Sequence, residues 1–74
     1  MALVRKFGQL EIERLQLHHE VEAKAKLFDD HGRYVLQIST YGRPDREIPG
    51  KVSQSIQLDE QGIAALRALI ARVP

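Results

Sequence analysis

The sequence predicts an α+β fold: an antiparallel sheet of about four strands followed by one C-terminal helix, in the order β-β-β-β-α. Three observations predict it. Apolar residues occupy every second position from Leu15 to Leu27, at Leu15, Leu17, Val21, Ala23, Ala25 and Leu27, with His19 in phase. Turn-forming clusters then punctuate the chain at Asp29-Asp30-His31-Gly32, Gly42-Arg43-Pro44-Asp45 and Pro49-Gly50. Finally, Ile63, Leu66, Leu69, Ile70 and Val73 recur at helical spacing behind Asp59, an N-cap residue type.

The elements follow in order. Residues 1–14, MALVRKFGQLEIER, form an N-terminal arm or an extra strand. Leu3, Val4, Phe7 and Leu10 suit one helical face, but Gly8 interrupts it at a cost of about 1 kcal/mol relative to Ala. Leu10 and Ile12 alternate with Glu11 and Glu13, which favours a loose arm that becomes a strand by about residue 9. Residues 15–74 make a single domain of sheet plus terminal helix.

The first clear strand begins at Leu15. Glu, Ala and Lys prefer helices, yet the period of two is sustained, and burial of one face outweighs tenths of a kcal/mol per residue. The phase change between Ile12 and Leu15 suggests a bulge or a break near Glu13-Arg14. Gly32 closes a turn where positive φ is free of steric cost. The second strand spans Arg33–Tyr41, with Tyr34, Leu36, Ile38 and Thr40 on one face and Val35, Gln37, Ser39 and Tyr41 on the other. Residues 46–48 make a short third strand, ended by Pro49-Gly50, and residues 51–58 make the fourth. The helix follows, with Glu60 in its dipole-favoured first turn and Pro74 as its stop. Ile56, Leu58, Ile63, Leu66 and Ile70 are the predicted core and dimer seam.

Seventy-four residues supply a small core, and with no cysteine there is no disulfide to staple it. A homodimer is the cheapest way to bury more apolar surface. Eleven Lys/Arg against ten Asp/Glu give a net charge of +1, so polyanion binding requires charge gathered on one face. No apolar run approaches the roughly 20 residues of a membrane span, and the opening Met-Ala-Leu-Val-Arg-Lys has no long apolar core of a secretory signal. A cytoplasmic protein without membrane partner is the expectation.

Candidate chemistry is sparse. His18 and His19 point to opposite faces of a strand and cannot chelate one ion together. Asp29 and Asp30 are a solvated turn, since hard cations want six or more oxygen ligands. Glu20 and Glu22 share a face with Lys24 and Lys26 as a solvated charge pattern. Ser39, Ser53 and Ser55 lack a nucleophile-elbow setting, and Gly42, Gly50 and Gly62 lack phosphate-loop spacing. The expectation is a protein without catalytic residues, metal, cofactor or small-molecule substrate.

The polar sheet face is the remaining constellation. It carries Lys24, Lys26 and Phe28, then Gln37, Ser39 and Tyr41, then Ser53, Ser55 and Gln57, with Arg43, Arg46 and Lys51 in the adjoining loop. Aromatics stack on unpaired bases at about 1–3 kcal/mol each, and cations pair with phosphates.

The motifs YVLQISTY at 34–41, IPGK at 48–51 and SIQLD at 55–59, followed by a helix, resemble the transcriptional positive-cofactor-four family and its short bacterial relatives, over about residues 19–72. Where that family places a Lys-Gly pair, this chain has Val52-Ser53-Gln54. The resemblance implies a homodimer that binds single-stranded DNA on its sheets. By position it implies Lys24, Lys26, Tyr41, Arg43, Arg46, Lys51 and Ser53 as the nucleic-acid-binding residues, with RNA as the other possible strand. A protein-interaction or assembly module without nucleic acid is the alternative expectation, motivated by the near-neutral charge.

Overall fold

In the computed structural model the described residues are 1–42 and 52–74. Four strands and one helix run in chain order: β1 (Ala2–Val4), β2 (Ala23–Asp30), β3 (Arg33–Tyr41), β4 (Val52–Leu58) and α1 (Glu60–Ile70). The strands form one sheet in the order β1-β4-β3-β2. The fold is α+β with a terminal helix, as the sequence predicts.

The sheet is mixed rather than wholly antiparallel. β2–β3 and β3–β4 are antiparallel, but β1 pairs parallel to β4, Ala2 opposite Ile56 and Val4 opposite Leu58. The extended residues of the arm are therefore 2–4, not those from residue 9 onward. Parallel pairing joins segments far apart in sequence, so no local turn signal announces it. The predicted third strand at 46–48 and the Pro49-Gly50 turn lie outside the described residues.

The β2–β3 hairpin follows from its turn. His31 and Gly32 take φ of 54° and 83°, the left-handed pair of a two-residue turn whose twist matches the strands. The Gly32 amide donates to Asp29 Oδ1 at 2.9 Å. Because the loop is only two residues long, pairing begins at once, Asp30 opposite Arg33, and β2 reaches two residues past Phe28. At its other end β2 starts at Ala23, eight residues later than the alternation from Leu15 predicts. A strand needs a hydrogen-bonded neighbour, and β3 ends at Tyr41, whose amide makes the last rung by donating to the Glu22 carbonyl at 2.9 Å. Residues upstream of Glu22 have no β3 residue left to pair with.

The helix forms as its cap residues dictate. Asp59 is the N-cap, its Oδ1 accepting from the Gly62 amide at 3.0 Å, and Glu60 supplies first-turn negative charge. Arg5 Nε donates to Asp59 Oδ2 at 2.6 Å, which ties the residue after β1 to the helix start. Gly62 is buried against β1: a Cβ there would collide with the Val4 carbonyl oxygen. The helix ends at Ile70 with Ala71 as C-cap, so Val73 falls beyond it.

The core is smaller than predicted. Leu58 is the one fully buried large side chain among the described residues. Leu36, Ile38, Ile63 and Leu66 are each only half-buried, so Leu58 alone among the described apolar side chains is sealed from solvent. Ile56 is 39 % exposed and Ile70 57 % exposed, so neither belongs to the core of a single chain. The helix is eleven residues long and covers only part of the sheet's apolar face. The accessible surface is 7041 Å², against roughly 4,600 Å² that size scaling gives for a compact chain of 8.4 kDa. Leu10, Leu15 and Leu17 contribute to the excess at 74 %, 83 % and 84 % exposure.

Candidate nucleic-acid interface

The registers build one polar face. Lys24 stands opposite Ser39, Lys26 opposite Gln37 and Phe28 opposite Val35. On the other side of β3, Gln37 stands opposite Gln57 and Ser39 opposite Ser55. Lys24, Lys26, Phe28, Gln37, Ser39, Ser55 and Gln57, which the alternation assigned to this face, therefore share it across three adjacent strands.

The centre of the face is a hydrogen-bonded ladder. The Ser39 and Ser55 hydroxyls are 2.8 Å apart and buried. Gln57 Nε2 donates to Gln37 Oε1 at 3.0 Å, and Gln37 Nε2 donates to Ser39 Oγ at 3.4 Å. Every buried side-chain nitrogen and oxygen among the described residues has a partner. The ladder is thus satisfied within the protein and forms a firm floor.

Cations and aromatics flank that floor at β2. Lys24 Nζ lies 5.1 Å from the Tyr41 ring centroid, a diagonal cross-strand contact from β2 to the end of β3. Lys26 Nζ lies 5.0 Å from the Phe28 centroid, two residues along the same face. At exposed sites such contacts contribute about 0.5–1 kcal/mol. They hold two ammonium groups over ring faces. Lys24, Lys26, Phe28, Gln37, Ser39 and Tyr41 line a depression of about 210 Å³, below the roughly 300 Å³ at which pockets for small ligands begin.

Of the seven predicted binding residues, the fold brings Lys24, Lys26 and Tyr41 together. Ser53 is displaced. Thr40 pairs with Gln54 but Tyr41 pairs with Val52, so Ser53 is an extra residue on β4, as at a β-bulge. Val52, 44 % exposed, stands opposite Tyr41 where regular alternation would have put Ser53. Arg43, Arg46 and Lys51 lie outside the described residues. Phe28, not among the seven, belongs to the site through Lys26, and its place in the alternation already marked it. Gln37 and Gln57 were legible in the same way.

Among the described residues no cluster of three or more His, Cys, Asp or Glu side chains is placed to hold a metal, and no helix is long and apolar enough to cross a membrane. Comparison with family models, curated proteins and solved structures finds no match to this chain.

Proposed function

We propose that this chain is a non-enzymatic single-stranded nucleic-acid-binding protein, acting as a homodimer through its polar sheet face, in the manner of a transcription or replication and repair accessory factor. The observation that carries the reading is Lys24 held over Tyr41 at 5.1 Å beside Lys26 over Phe28 at 5.0 Å, on the edge of a self-satisfied Ser/Gln floor. Such a face offers π surfaces for unpaired bases and ammonium groups for phosphates. It has few unpaired base-reading groups, so binding is largely independent of sequence. Arg43, Arg46, Lys51 and Ser53 join the site in this reading through the motif resemblance, Ser53 from the bulge itself.

Titration of a fluorescently labelled oligo-dT at several salt concentrations tests it. Each phosphate contact steepens the fall of log affinity with log salt by about 0.7 for a single strand. Affinity that drops steeply with salt is expected. No binding at low salt and micromolar protein overturns the proposal.

The exposure of Leu10, Leu15 and Leu17 favours a second reading, an assembly module without nucleic acid. A stable homodimer indifferent to oligo-dT at low salt supports that reading over the first.

A further inference from the structure

β2 is the long free edge of the sheet, and every residue of it is exposed. Its hydrogen-bonding direction is fixed by the rung from Tyr41 to Glu22. In an antiparallel pair, alternate residues turn their backbone groups toward the neighbour. Glu22, Lys24, Lys26 and Phe28 therefore turn theirs to β3. Val21, Ala23, Ala25 and Leu27 turn theirs outward, away from β3, where no other strand of the described residues pairs with them.

The sequence at this edge is Glu20-Val21-Glu22-Ala23-Lys24-Ala25-Lys26. Its charges are mirror-opposed about Ala23. A second copy pairing antiparallel across a two-fold axis at Ala23 sets Glu22 opposite Lys24 and Glu20 opposite Lys26, each twice by symmetry. On the other face Val21 meets Ala25 and His19 meets Leu27. Moving the axis to residue 22 sets Glu22 against itself, and moving it to residue 24 sets Lys24 against itself. Like charges directly opposite are destabilising, so the charge pattern selects one register. Lysines alone would serve to block an edge against pairing. Glutamates at the mirror positions on the same face turn that block into a complement.

We infer that the β2 edge, residues 19–27, is a self-complementary docking strand whose occupant is a second copy of this chain, paired antiparallel about Ala23. The union joins two four-stranded sheets edge to edge and extends β2 upstream into the alternating residues that lack a β3 partner. It names the seam of the dimer in the functional reading above, and it stands or falls without nucleic acid. The lysines keep free N–H groups for phosphate, because an ion pair uses only part of an ammonium's three donors.

Charge-swapped chains test it by sedimentation velocity. E20K/E22K carries only lysines at these four positions, and K24E/K26E carries only glutamates. Each variant alone is expected to show a dimer dissociation constant about tenfold or more above that of the wild type. An equimolar mixture is expected to recover a heterodimer, since every swapped charge then meets its opposite. The register has its own readout. Facing residues of a hydrogen-bonded pair are about 5.5 Å apart at Cα, within disulfide range. Ala23→Cys should therefore oxidise to a covalent dimer, and Ala25→Cys, displaced from the axis, should not. A monomeric wild type overturns the inference. So do dimers that survive both swaps, a mixture that fails to associate, or equal crosslinking at positions 23 and 25. Failure of oligo-dT binding with these dimer results intact would count against the functional proposal alone.

Discussion

Lys24 reaches diagonally across from β2 to Tyr41 at the end of β3, its ammonium 5.1 Å from the ring centroid. If a nucleic-acid strand lies on this face, the two side chains contribute by different physics. Lys24→Ala is expected to weaken oligo-dT binding and to flatten the log–log salt slope by about 0.7, one phosphate contact's worth. Tyr41→Ala is expected to lose about 1–3 kcal/mol of stacking with the slope unchanged. Lys51→Ala should behave like Lys24→Ala. Arg72→Ala, exposed beyond the helix end, should change neither quantity. An Arg72 effect equal to that of Lys24 would mark diffuse charge attraction instead of a site. The double variant of Lys24 and Tyr41 should cost less than the sum of the singles, because contacting residues are coupled.

The Ser39–Ser55 pair makes a prediction about stability. The two hydroxyls share a hydrogen bond of 2.8 Å in a buried position. Ser55→Ala leaves Ser39 with the longer 3.4 Å contact to Gln37 and should cost about 1–3 kcal/mol in chemical denaturation. Ser39→Ala/Ser55→Ala removes both polar groups together and should cost less than the two single changes added. A purely additive result would show that the hydroxyls act separately.

How much of this was legible in the sequence depends on the range of the interaction involved. The second strand, a turn within Asp29–Gly32, the Asp59 cap and the polar face were legible because period, turn chemistry and capping are local. The shared face of Lys24, Lys26, Gln37 and Ser39 was legible from their alternation, but the register of β2 against β3 was not, because the sequence placed Asp29 and Asp30 in the turn and they pair within the strands instead. Three further things were not legible. β1 joins β4 in parallel, a pairing without a local signal. The Ser53 bulge exchanges Val52 and Ser53 opposite Tyr41 without any glycine to mark it. The alternation at Leu15, Leu17 and Val21 is real, but a strand also needs a neighbour, and none of the described strands pairs there.

Asp59 gives the fold an acid limb. The Gly62 backbone amide, first, and then the Arg5 guanidinium stabilise its carboxylate and hold its pKa below the ordinary 3.8. The folded value is depressed, so the contribution is complete above the unfolded value and is lost as pH falls through the folded one. Thermal melts should therefore show a steepened loss of stability below about pH 4. Asp59→Asn keeps a cap acceptor but removes the charge. It is expected to flatten that acid limb, and Arg5→Gln to weaken it partly. An acid limb unchanged in Asp59→Asn would assign it to other carboxylates.

Gly62 carries a test of the parallel strand. In an isolated helix, Gly→Ala stabilises by about 1 kcal/mol. Here a Cβ at residue 62 would strike the Val4 carbonyl oxygen and approach Leu58 Cβ at 3.3 Å. Relief requires β1 to move, and overpacking of this kind costs about 1–3 kcal/mol. Gly62→Ala is thus expected to lower stability in the full chain despite its better helix propensity. Removing residues 1–4 deletes the obstructing carbonyl. In that shortened background the same substitution should change sign and stabilise by up to about 1 kcal/mol. The two measurements form a cycle whose coupling term reports the β1–α1 contact itself. If Gly62→Ala stabilises both backgrounds equally, β1 does not pack on the helix as described. If it destabilises both equally, the obstruction lies at Leu58 rather than at Val4.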